Sequence, residues 1–197
     1  MNASIARNET LLEVALAPLD FVRQVGLVIG FSLLMALSAQ IVIPVGVVPY
    51  TGQTFVVLLA GALLGSRLGA IAMITYLVEG STGLPFFQGG HGGLLHLMGP
   101  TGGYLIAFPA AAFITGAFAE HEWDRKFITA AAAMAIGSLV IMFSGWLWFS
   151  LVMKTSPALT VFVTVVKFIP GDIVKIALAA AVLPSGWALV RGRSERR

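Results

Sequence analysis

Residues 158–183 read ALTVFVTVVKFIPGDIVKIALAAAVL. About 20 apolar residues span a bilayer as a helix, so this run is long enough. Yet Lys167, Pro170, Gly171, Asp172 and Lys175 stand in its middle. A charge at the centre of a membrane helix costs about 2.5–3.5 kcal/mol on insertion scales, so such residues turn inward and find partners. Asp172 and Lys175 are three apart and share one face of a continuous helix. Pro170-Gly171 loosens the turn before it, and the carbonyls so freed must be satisfied inside the protein. The stretch reads as a membrane helix that carries a polar ligand site. A structural ion pair is the plainer alternative. Lys167, one to two turns above Asp172, either joins the site or snorkels to the outer interface.

The rest of the chain fits a lipid solvent. Of its 197 residues, 58% are hydrophobic and 11% charged, against about a quarter charged in soluble domains. Five further apolar segments precede the last one: residues 25–43, 53–64, 68–87, 103–119 and 127–153. The expected fold is an all-α integral membrane protein, six transmembrane helices in one bundle, forming a single domain over 1–197. Residues 1–24 form an N-terminal cytoplasmic segment in this reading, and 186–197 a basic cytoplasmic tail facing anionic headgroups. The mixed charge of Met1 to Asp20 does not resemble a signal peptide. With the N-terminus inside, Arg7, Arg23, Arg67, Arg125, Lys126, Arg191, Arg193, Arg196 and Arg197 fall inside and Lys154 outside. Nine against one predicts both termini in the cytoplasm.

Several chemistries are excluded. There is no cysteine, hence no disulfide, thiolate metal site or cysteine nucleophile. No basic run with interleaved aromatics points to nucleic acid. The outer loop FFQGGHGGLLHLMGPTGGY (86–104) is glycine-rich, but no GK[ST] follows, so the chain encodes no Walker-type ATPase. This loop reads as a lid over a pocket or as a compact connector. His91 and His96, five apart, lack the spacing of a helical zinc pair, and no metal is expected. No serine lies in a nucleophile elbow, so no catalytic residue is assigned. Glu79 reads as a ligand acceptor, a lysine partner or an end-of-helix carboxylate. With Lys167 and Asp172 it would form the relay of an ion- or proton-coupled carrier, the rival reading. Ser32, Ala36 and Ala39 make a stripe of small residues that suits either a partner helix or internal packing.

Five motifs occur in order: PYTGQT (49–54), LLGSRLG (63–69), GLPFF (83–87), GPTGGYL (99–105) and PGDIVK (170–175). In combination, over roughly residues 30–180, they resemble the BioY family, the substrate-binding S components of energy-coupling factor biotin transporters. The resemblance implies a protein of the prokaryotic cytoplasmic membrane that captures biotin from outside. It implies no covalent chemistry and no cofactor; a transmembrane T component and ATPase subunits drive import. It assigns ligand binding to Asp172 and Lys175. An ionised aspartate accepts from a ureido N–H, and a lysine donates to a ureido carbonyl or a carboxylate. Gln88 and Tyr104 follow as further ligand contacts, with Thr51 and Gln53 in a gating loop. Ser32, Ala36 and Ala39 stand where the family has an A-x-x-x-A motif for the T component.

Overall fold

The computed structural model describes residues 10–16 and 18–194, the last four in backbone only. Expectations for Arg7 and for the side chains of Arg191, Arg193, Arg196 and Arg197 lie outside the described residues. Among the described residues eight α-helices follow in order: α1 Leu11–Leu16, α2 Phe21–Ala39, α3 Gln53–Ser81, α4 Leu94–Leu97, α5 Gly102–Glu120, α6 Phe127–Val152, α7 Pro157–Thr164 and α8 Ile169–Ser194. Five are long and apolar enough to cross a membrane: α2, α3, α5, α6 and the α7–α8 run over 157–190. Large apolar side chains cover the outside, among them Leu37, Ile128, Phe162 and Leu189, as a lipid solvent allows.

The α2 helix begins and ends four residues earlier than the apolar pattern suggests. Asp20 caps it by accepting the Arg23 N–H at 2.9 Å. Past Gln40 the β-branched run before Pro44 leaves the helix, because the residue before a proline disfavours the α region. Val42–Ile43 instead pairs antiparallel with Tyr50–Thr51. This ribbon carries the PYTGQT segment to the N-terminus of α3.

Inside α3 the backbone breaks at Gly65, with φ 83° and ψ 177°, a conformation that side chains rarely adopt. The chain reverses there. A Cβ placed on Gly69 would lie 3.0 Å from the Gly61 Cα, eight residues back. The second half needs its own N-terminal cap, and Glu120 at the end of α5 supplies it. Its Oε1 accepts the Ser66 N–H at 2.7 Å and the Ser66 hydroxyl at 2.8 Å. Gly116 lets α5 approach this turn, since a Cβ there would meet the Gly65–Ser66 backbone.

The core runs along these contacts. One cluster joins α2, α3, α5 and α6 through residues such as Met35, Val57, Met73, Phe108 and Ile141. A second joins α3, α5, α6 and α8 around Leu58, Met134, Ala180 and Leu183. The Ser32/Ala36/Ala39 stripe packs inward. All three residues are buried, and the Ser32 hydroxyl donates to Glu79 on α3. Of the two readings of this stripe, the structure shows internal packing and not the open face that a partner helix would need. At the far end α8 continues through Pro184, so 186–194 is helix and not tail. Trp187 is buried there, donating through Nε1 to Asp124 Oδ2 at 2.5 Å. Arg125 lies over the same indole, 4.7 Å from its centroid. Burial pushes the Asp124 carboxyl up to about 6, opposed chiefly by the Trp187 hydrogen bond.

Candidate ligand-binding cavity

The break anticipated before Pro170 is present. The α7 helix ends at Thr164, Val165 has φ −127° and ψ −66°, a 3₁₀ turn covers Val166–Phe168, and α8 starts at Ile169. Proline suits this first turn because its missing N–H has no helical partner to lose. Two tyrosines take up the interrupted carbonyls. The Tyr104 hydroxyl donates to Thr164 O at 2.8 Å, and the Tyr50 hydroxyl donates to Lys167 O. Their rings flank Phe168, at centroid distances of 6.2 Å and 4.7 Å. Glycine makes room for both: a Cβ on Gly145 would collide with the Tyr104 ring, and one on Gly171 with that of Tyr50.

The break opens onto a cavity of about 60 Å³. Its polar lining holds Tyr50, Thr51, Gln53, Thr54, Gln88, His96, Thr101, Tyr104, Ser138, Asp172 and Lys175, with apolar walls from Leu105, Phe108, Ile141, Met142 and Phe168. The six residues expected to meet a ligand, Asp172, Lys175, Gln88, Tyr104, Thr51 and Gln53, thus line one space. Glu79 and Lys167 do not line it. Glu79 is held by Ser32, so the three-residue relay of a coupled carrier is not assembled here.

Asp172 and Lys175 form no ion pair with each other among the described residues; each is held separately. The Ser138 hydroxyl on α6 donates to Asp172 Oδ2. Lys175 Nζ donates to Thr51 O at 2.8 Å and to Thr54 Oγ1 at 2.7 Å. An ammonium has three donors, so one remains. Asp172 Oδ1 accepts no hydrogen bond among the described residues. One face of α8 therefore offers the cavity an open carboxylate oxygen and an open ammonium hydrogen, one helical turn apart. Such groups form strong hydrogen bonds in a dry site.

Gln53 has a different part. Its Nε2 donates to the Tyr76 hydroxyl at 2.8 Å, its Oε1 accepts from Thr51 Oγ1 at 3.0 Å, and Tyr76 donates on to Phe86 O at 3.1 Å. This chain ties the β-ribbon to the outer loop. The loop is both compact and placed over the cavity. Phe87 is its buried plug, seated against Gly80, where a Cβ would strike the ring. Gln40 Nε2, at the C-terminal cap of α2, holds it through Phe87 O at 3.3 Å. The His96 ring stacks between Phe87 and His91, at 5.2 Å and 5.5 Å. Burial first, and then the His91 charge, lower the His96 pKa, which favours the neutral ring.

Sequence reasoning did not single out Ser138, Thr54, Tyr50 or Thr101, nor His96 as a cavity residue. Tyr50 and Thr54 sit inside a quoted motif, but nothing local marks Ser138 among the small residues of α6.

These features define a multi-pass α-helical membrane protein with a ligand cavity built on an interrupted helix. The BioY family model matches residues 7–192. The chain belongs to the BioY family. It is 39% identical to a probable biotin transporter BioY of Pyrococcus horikoshii, over 81% of this chain and 93% of that one. It is 38% identical to the biotin transporter BioY of Rhodobacter capsulatus, over 77% and 85% of the two chains. Among solved structures it is similar to an S-component for biotin from an ECF-type ABC transporter. There the TM-score is 0.77 and the identity 26%, covering 83% of this chain and 90% of that one.

Proposed function

We propose that this chain is the biotin-binding S component of an energy-coupling factor transporter. One observation carries the reading: α8 presents an open carboxylate oxygen and an open ammonium hydrogen to an apolar-walled cavity. A cyclic urea is complementary to that pair, its N–H donating to Asp172 and its C=O accepting from Lys175. The apolar walls suit a thiophane ring and an aliphatic chain. Tyr104 borders the ligand and holds the α7–α8 break, while Thr51 and Gln53 set the ribbon that closes one side. Gln88 meets the ligand from the loop.

The chain crosses the prokaryotic cytoplasmic membrane six times in this reading. The Gly65 reversal divides α3 into two passes, and α7–α8 make the last. Both termini face the cytoplasm, as the basic residues favour. A T component and ATPases, which this chain does not supply, drive import. With the Ser32 stripe buried, the T component must meet lipid-facing residues.

Binding of radiolabelled biotin to the purified protein, with thiamine and riboflavin as competitors, tests the reading. Tight binding that only unlabelled biotin displaces is expected. Folded protein that binds no biotin would overturn it.

A further inference from the structure

The cavity's polar side chains fall into two groups. Those from α3, α5, α6, α8 and the ribbon all have protein partners. Those from loop residues 88–101 do not. His96 Nε2 is buried without a hydrogen-bond partner. Gln88 and Thr101 engage neighbours through backbone carbonyls, and their side chains have no partner among the described residues. A buried polar atom left unpaired is costly, so its retention calls for an explanation.

Asp172 and the loop stand at different depths. Trp148 Nε1 donates to Gly99 O at 2.9 Å and Ser144 Oγ to Gly103 O at 2.8 Å. The loop is thus level with residues 144–148 of α6. Ser138, which holds Asp172, lies six to ten residues away along the same helix. At 1.5 Å per residue that is about 9–15 Å. An aliphatic chain leaving a ring bound at Asp172 and Lys175 would end near the loop. Among the described residues Asp172 is the one acidic residue in the cavity lining, and none of them brings a carboxylate to its loop end.

We infer that His96 receives the ligand's carboxylate, donating from Nε2, with Gln88 and Thr101 as neighbouring donors. The stacking of Phe87 and His91 on its ring fixes the direction of that donor. The inference rests on the biotin reading and extends it to a second subsite that selects for an acid terminus.

The test compares biotin with biotinamide, which keeps the ring and lacks the charge, on the detergent-purified chain. Wild type should bind biotin at least about tenfold more tightly than biotinamide. His96→Ala should weaken biotin about tenfold and biotinamide less than twofold, closing the gap. His96→Gln, which keeps a donor, should recover part of it. Asp172→Asn should weaken both ligands alike. An unchanged gap in both His96 variants, whether affinity falls for both ligands or for neither, overturns the inference alone. A wild type that binds neither ligand overturns the biotin reading, and the His96 assignment with it.

Discussion

The two ends of the cavity are built on opposite principles. At the α8 end every polar side chain is engaged with the protein, yet Asp172 and Lys175 each keep one valence open. At the loop end His96 Nε2 is buried and unpaired, and the side chains of Gln88 and Thr101 have no partner among the described residues. The α8 end is preorganised: its groups are aimed before a ligand arrives, so little ordering entropy is lost on binding. In the inferred complex the loop end gains its hydrogen bonds with the ligand. The first arrangement favours affinity, and the second favours discrimination, since the wrong terminus leaves buried groups unpaired.

The largest effect should come from the α8 end. Asp172→Ala or Lys175→Ala each removes a charge-assisted hydrogen bond worth about 2–3 kcal/mol, a loss of roughly 30- to 150-fold in biotin affinity. Equilibrium dialysis measures this, and affinity within threefold of wild type would break the comparison. Gly145→Ala comes next. The new methyl meets the Tyr104 ring, and overpacking costs about 1–3 kcal/mol. Thermal unfolding should shift downward and biotin affinity fall about tenfold. Gly26→Ala, where a Cβ meets nothing within 4 Å, serves as its silent control. Ser138→Ala should cost about 1 kcal/mol, or roughly fivefold in affinity, because Asp172 keeps its charge but loses its positioning partner. Isothermal titration would sharpen how much of the α8 end depends on that partner.

The smallest effect on binding should come from Asp124, a buried carboxylate remote from the cavity. Its folded pKa, about 6, is raised from 3.8. Its contribution to stability is therefore fully present below about pH 4 and lost as pH rises through about 6. Asp124→Asn should flatten that slope by on the order of 1 kcal/mol between pH 5 and pH 8, with biotin affinity unchanged. Unfolding curves at the two pH values measure the slope.

Much of the fold was legible because lipid imposes long apolar runs and penalises every charge inside them. The same penalty made Asp172 and Lys175 stand out as a pair. The Gly65 turn was legible too, as the short polar gap 65–67 between two apolar segments. Span ends were less so. Ile41–Ile43 is as apolar as the helix before it and still forms a ribbon, because Pro44 and the pairing with Tyr50–Thr51 decide its conformation. The 186–194 segment looked like a tail, yet Trp187 finds Asp124 and stays helical.

The sequence by itself determined that this chain belongs in a membrane, which helix carries the charges, and that the turn before Pro170 must open. Each follows from the cost of placing a given residue in lipid or in a helix, which is local. Only the tertiary structure decided that Asp172 and Lys175 are held apart, that Tyr50 and Tyr104 satisfy the broken turn, and that Ser32 faces Glu79. It also decided that His96 reaches the cavity unpaired. Those outcomes depend on side chains dozens of residues apart meeting within hydrogen-bond distance, and no local cost encodes such a meeting.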